Sequence, residues 1–180
     1  MAEPAALRRT QVVPAADGLR LLETAARFIL RAEARAIRSA GAVLDIDVIP
    51  TPCRASRGGT RSMLWLGPDE YLLLAPQVEA PTVAGVVEDA LQAEPHSLVD
   101  VSHRQTALEL SGARAADIVN SGCPLDLDVG VFPVDMCTRT VFAKAEIVLW
   151  RTAPDVFRLE VWRSFTDYVA RFIGEVVREY

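Results

Sequence analysis

Histidine is scarce in this chain of 180 residues: only His96 and His103 can titrate near neutrality unaided, which leaves little for acid–base chemistry. Three cysteines, Cys53, Cys123 and Cys137, are an odd number and none lies in a C-x-x-C pair, so neither a disulfide framework nor a zinc ribbon is indicated. Reduced, packed thiols are expected instead. No helical H-x-x-x-H pair, Cys cluster or EF-hand spacing occurs, and Asp126-Leu127-Asp128 reads as a solvated edge rather than a calcium loop. G-x-G-x-x-G and Walker A sequences are also missing, so nucleotide binding by this chain has no motif behind it, and Gly58-Gly59 reads as a turn.

No apolar run approaches the eighteen or so residues of a membrane span, and the first ten residues hold Glu3, Arg8 and Arg9 but no apolar signal core. A cytoplasmic location is the expectation. A net charge of −5 offers no long-range attraction to nucleic acid or anionic lipid. Repeats, low-complexity tracts and like-charge blocks are absent as well.

What is present is an ordinary globular balance, 51% hydrophobic and 24% charged, in a length that suits one domain. Residues 1–18 read as an extended lead and 19–180 as a single α+β domain. Residues 27–31 have the look of a short strand and 33–41 of a short helix, with Gly41 suited to its C′ position. Residues 49–59, with two prolines and the glycine pair, read as a surface loop. Two apolar runs around Gly67-Pro68-Asp69 form a hairpin signature with both strands central. Pro81 opens a helix whose Val83, Val86, Val87, Ala90 and Leu91 make one buried stripe.

Residues 97–101 and 106–110 read as strands on either side of a tight link, Ser102-His103-Arg104-Gln105, with an Ala-rich helix after Ser111-Gly112 that stops near Gly122-Cys123-Pro124. Residues 124–133 read as an extended connection. Residues 138–143, 146–151 and 156–162 describe an antiparallel meander, and in the last of these Phe157, Leu159 and Val161 share one face while Arg158, Glu160 and Trp162 share the other. A final amphipathic helix, N-capped by Ser164, buries a stripe from Phe165 and Tyr168 through Val177 to Tyr180 against the sheet. Strands paired locally with helices between and after them predict α+β, antiparallel sheets with packed helices.

Asp100, Ser102 and His103 contain the residue types of a hydrolase triad, but on an extended segment Asp100 and Ser102 face opposite to His103. The expected roles are structural: Asp100 or Ser102 accepting backbone N–H bonds and Arg104 pairing with a carboxylate. Aromatic and arginine side chains on partly polar faces mark candidate interface positions: Trp65, Asp69, His103, Arg104, Trp150, Arg158 and Trp162.

Four motifs in order, Leu64-Trp65-Leu66-Gly67-Pro68-Asp69-Glu70-Tyr71-Leu72-Leu73, the run from Val99-Asp100-Val101-Ser102-His103-Arg104-Gln105 to Ser111-Gly112, Gly122-Cys123-Pro124-Leu125-Asp126-Leu127, and Met136-Cys137-Thr138-Arg139-Thr140 with Lys144-Ala145-Glu146-Ile147-Val148-Leu149-Trp150-Arg151, resemble the gamma subunit of bacterial heterotetrameric sarcosine oxidase. The resemblance covers roughly residues 62–175. Asp135 stands where a small residue is expected and Tyr71 where Trp is frequent. It implies a fold similar to the folate-binding domain of aminomethyltransferase (T-protein). It also implies alpha, beta and delta partner subunits that carry FAD, FMN, NAD, tetrahydrofolate and zinc, while this chain binds no cofactor or metal and contributes no catalytic residue. The implied assembly demethylates sarcosine oxidatively to glycine. A similar subunit in an N-methylglutamate dehydrogenase, a freestanding folate-binding protein and a small hydrolase using Ser102 and His103 remain as alternatives.

Overall fold

The computed structural model describes residues 18–179. The lead over residues 1–17 and the terminal Tyr180 of the last apolar stripe lie outside the described residues. In chain order the elements are β1 (Leu19–Leu21), β2 (Ala25–Ala32), α1 (Ala34–Val43), β3 (Ala55–Gly58), β4 (Arg61–Gly67), β5 (Glu70–Pro76), α2 (Ala80–Leu91), β6 (His96–Asp100) and β7 (Gln105–Ser111), then α3 (Ala115–Asn120), β8 (Cys137–Phe142), β9 (Ala145–Ala153), β10 (Val156–Trp162) and α4 (Thr166–Glu179).

Two five-stranded sheets result, ordered β1-β7-β10-β9-β8 and β3-β4-β5-β2-β6, and every pairing is antiparallel. Period-2 alternation decides which way each strand's side chains go. In β5, Tyr71 and Leu73 pack outward against α1 and α2, whereas Leu72 and Leu74 point inward to meet Val148 and Trp150 of β9. In β9 itself Ile147 and Leu149 pack outward, against the apolar stripe Val169, Ala170 and Ile173 of α4. The chain is thus a four-layer stack, helices, sheet, sheet, helices. Because both faces of β5 are covered, its residues read as an unbroken apolar run rather than a clean alternation.

The α+β class, the hairpin of β4 and β5 and the meander of β8 to β10 are as expected from the sequence. Five expectations are corrected. Gly41 lies inside α1, not past its end; a Cβ there would sit 2.2 Å from Val48 Cγ2 and 2.8 Å from the Ile46 carbonyl oxygen, so the glycine serves the close return of the chain over the helix. The loop expected over residues 49–59 contains β3, an edge strand hydrogen-bonded to β4, and only Gly59, at φ 57°, makes the turn. Strands β6 and β7, expected on either side of a tight link among locally paired strands, do not pair with each other: they belong to different sheets, and the link carries the chain from one layer to the other. Val86 is exposed, so the buried stripe of α2 is Val83, Val87 and Leu91. Finally, a 3-10 turn over Arg163–Phe165 precedes α4 without a side-chain cap from Ser164, and Phe165 and Tyr168 are exposed rather than part of the buried stripe.

Candidate functional site

The link between the sheets is built as the sequence suggests for its polar residues. The Ser102 amide donates to Asp100 Oδ1 at 2.8 Å, and the Arg27 amide donates to Ser102 Oγ at 2.9 Å. Ser102 therefore acts as a backbone acceptor that joins the crossover to β2. His103 is exposed and makes no hydrogen bond to Ser102, so no triad assembles. Arg104 does not pair with a carboxylate among the described residues; its guanidinium lies 4.2 Å above the Trp162 ring, a cation–π stack.

The inward faces of the two sheets meet over Leu64, Leu72, Leu74, Val101, Val148 and Trp150. Beside that cluster sits a buried ionic group. Arg27 of β2 donates through Nε to Glu160 Oε2 of β10 at 2.6 Å, and Arg158 donates to Glu160 Oε1 at 2.8 Å through Nε. Arg27 is 2% and Glu160 1% exposed, so this carboxylate is neutralised inside the sandwich and bridges its two layers. Alternation along β2 and β10 makes this placement: residues 27, 29 and 31, and residues 158, 160 and 162, all face between the sheets.

Beyond this group the sandwich opens into a cleft of about 470 Å3, walled by Ile29, Leu72, Val101 and Val148. Polar residues ring it: Arg31, Glu70 and Arg139 on one side, Arg104, Gln105 and Trp162 on the other. Glu70 is buried and accepts from both Arg31 and Arg139. The Arg139 hydrogen bond holds its carboxyl below the usual carboxylate range; burial opposes this, and the charges of Arg139 and Arg31 add to it.

Of the seven candidate interface residues, the structure brings Arg104 and Trp162 together on the rim of this cleft, with His103 exposed next to Arg104 in the chain. Asp69 is exposed at the β4–β5 turn, where its carbonyl accepts from the Ala32 amide. Trp65 is half-buried against the cluster beneath α1 and α2. Trp150 is 4% exposed, and Arg57 stacks on its ring at 4.6 Å; it packs the inter-sheet core and offers no surface to a partner. Arg158 is held by Glu160. Sequence reasoning missed Arg31, Gln105, Glu70 and Arg139. The available signal was the position of Arg27 and Arg31 two residues to either side of Ile29 on one strand face.

Among the described residues no group of three or more His, Cys, Asp or Glu side chains converges as a metal site, and no helix is long and apolar enough to cross a membrane. Cys123 and Cys137 are buried, and burial pushes the Cys137 thiol up to about 12. Cys53 is partly exposed.

Comparison with known proteins gives these features a context. Residues 32–179 match the model of the sarcosine oxidase, gamma subunit family. Sarcosine oxidase subunit gamma of Corynebacterium sp. (strain U-96) is 34% identical over 119 residues, 66% of this chain and 57% of that relative, so the alignment spans little more than half of the relative's length. A chain of the heterotetrameric sarcosine oxidase from Corynebacterium sp. U-96, solved in complex with pyrrole 2-carboxylate, superimposes with a TM-score of 0.83 at 27% identity, covering 89% of this chain and 83% of that one. The aminomethyltransferase T of the glycine cleavage system from Bartonella henselae shares the fold, with a TM-score of 0.68 at 13% identity over 92% of this chain and 47% of that one. The match over residues 32–179, which takes in strands β3 to β10 and all four described helices, places this chain in the sarcosine oxidase gamma subunit family.

Proposed function

We propose that this chain, as a single domain over residues 19–180, is the gamma subunit of a cytoplasmic heterotetrameric sarcosine oxidase and stands beside alpha, beta and delta subunits. The assembly demethylates sarcosine oxidatively to glycine, with hydrogen peroxide and either formaldehyde or 5,10-methylenetetrahydrofolate as the other products. FAD, FMN, NAD, tetrahydrofolate and zinc reside in the partner subunits, and this chain holds its neighbours in place without supplying a reacting group.

The observation that carries this reading is the family match over most of the chain together with its superposition on a chain of a heterotetrameric enzyme. The state of the ionisable groups supports the noncatalytic role. Glu160 and Glu70 are each already engaged by two arginines, and Ser102 by backbone, so using any of them in acid–base work would first break a structural pair.

The test is co-expression of the tagged full chain with the products of its neighbouring reading frames, followed by pull-down, native mass and a flavin absorbance spectrum. A yellow one-to-one complex that consumes sarcosine is expected. Consumption of N-methylglutamate in its place would reassign the complex to a related dehydrogenase. A colourless lone chain that binds tetrahydrofolate would replace the subunit reading with the folate-binding one, which the aminomethyltransferase-like fold favours.

A further inference from the structure

The open end of the sandwich has three properties that a closed core lacks. Its lips are apolar yet exposed: Val99, on β6, is 50% exposed and Trp162, at the end of β10, is 39% exposed, and both line the same cleft. Its ionised lining is cationic in balance, with Arg31, Arg104 and Arg139 against Glu70 and Glu146, in a chain whose overall charge is −5. Arg31 and Arg139 share the single carboxylate of Glu70, and Arg104 has only the Trp162 ring among the described residues. Gln105, which lines the cleft, has a side-chain oxygen that is out of contact with water and accepts no hydrogen bond from any described residue, an arrangement that costs free energy.

The outer edge of β6 adds a fourth property. Among the described residues β6 pairs only with β2, so its second row of backbone groups is unpaired beside the cleft. Unpaired edges of this kind accept an extended strand, whose alternate side chains then enter the neighbouring pocket.

We propose that this cleft is the docking site for an extended, acidic segment of a neighbouring subunit. The segment runs along β6, inserts an apolar or aromatic side chain between Val99 and Trp162, and sets a carboxylate against Arg104. Charge decides the chemistry of the occupant: a basic segment would meet a cationic rim, and a purely apolar one would leave Arg104 desolvated without a counter-charge. Trp and Arg at the centre of the contact are the side-chain types that dominate binding energy at interfaces. The inference rests on the reading of this chain as a subunit of a larger complex.

The experiment uses the co-expressed complex. Trp162→Ala and Arg104→Glu are each expected to weaken association by about tenfold or more, and the Arg104→Glu complex loses much of its sensitivity to salt. Val78→Asp, at a position 88% exposed and outside the cleft, leaves association unchanged. To separate docking from folding, Val99 is replaced by the photo-crosslinker p-benzoylphenylalanine in otherwise unaltered chain, and the captured peptide is sequenced; an acidic segment of a co-expressed subunit is the expected product. If the wild-type complex forms while the cleft variants bind normally, or the crosslink goes to a second copy of this chain, or denaturing the complex releases a small molecule from the cleft, the docking site is overturned and the subunit reading stands. If the wild-type chain forms no complex, both fall.

Discussion

Glu160 is a buried carboxylate shared by two arginines, and its removal has a signature that can be worked out from the structure. It is 1% exposed and receives Arg27 Nε at 2.6 Å on one oxygen and Arg158 on the other. In a Glu160→Leu variant the two guanidiniums lose the same carboxylate, yet their fates differ. The side chain of Arg158 is 17% exposed and can turn toward water. Arg27 cannot: it is 2% exposed, its amide is held by Ser102 Oγ, and only the Ala25 carbonyl remains as an acceptor for its guanidinium. Stranding a buried charge in this way costs about 3–5 kcal/mol. At about 2–4 °C per kcal/mol for a chain of this size, the melting temperature falls by about 6–20 °C.

Arg27→Met is milder, about 1–3 kcal/mol, because Glu160 keeps its two hydrogen bonds from Arg158. The double variant, Arg27→Met with Glu160→Leu, leaves an apolar pair between the sheets and melts closer to the wild type than Glu160→Leu alone. Thermal and urea unfolding of the full chain, followed by far-ultraviolet circular dichroism, reads all three variants. A loss below about 2 kcal/mol for Glu160→Leu, or a double variant no better than that single one, would refute the assignment of the stability to a stranded charge.

Three further outcomes follow from the same geometry. Gly41→Ala lowers stability by about 1–2 kcal/mol in urea unfolding, because its Cβ meets the Ile46 carbonyl and Val48 at distances no rotamer relieves, and overpacking outweighs the helix-propensity gain; Gly85→Ala, with nothing within 4 Å of its Cβ, instead gains about 0.5–1 kcal/mol. The Glu70 carboxyl is held low by Arg139 in the folded chain, so its contribution is present above its unfolded value of about 4.3 and is lost as pH falls through its lower folded value; the stability gap between wild type and Glu70→Gln is level near neutrality and closes in acid, which unfolding midpoints across pH will show. A disulfide reagent at pH 8 modifies Cys53 in the native chain, while Cys123 and Cys137 react only on unfolding, as mass spectrometry of the labelled peptides will show.

How much of this was legible in the sequence depends on the range over which each signal acts. The β4–β5 hairpin and the β8–β10 meander come from alternation and turn residues a few positions apart, and they are where the sequence puts them. The crossover at residues 101–104 has the same length and polarity as a hairpin turn; only pairing to strands far along the chain separates the two, β6 to β2 and β7 to β10. Gly41 carries a helix-end signal locally, and the contact with Val48 that requires glycine comes from the returning chain. β3 is hidden because Pro50, Pro52 and the glycine pair argue for loop, while its strand character is borrowed from pairing with β4. Arg27 and Glu160 look like ordinary polar positions on half-exposed strands until a separation of 133 residues is closed.

The cleft follows the same logic. Its lining comes from strands of both sheets, so no short motif could announce it; Arg104 and Trp162 were singled out as residue types and only the fold sets one upon the other. The charged groups nearest the core, Glu160 with Arg27 and Arg158, and Glu70 with Arg31 and Arg139, are closed pairs whose hydrogen bonds already fix the sheets against each other. What is left open at the rim is a stacked arginine, an exposed indole and valine, and a strand edge unpaired among the described residues. Each of these groups lowers its free energy by acquiring a partner, and a single extended acidic segment would satisfy them together.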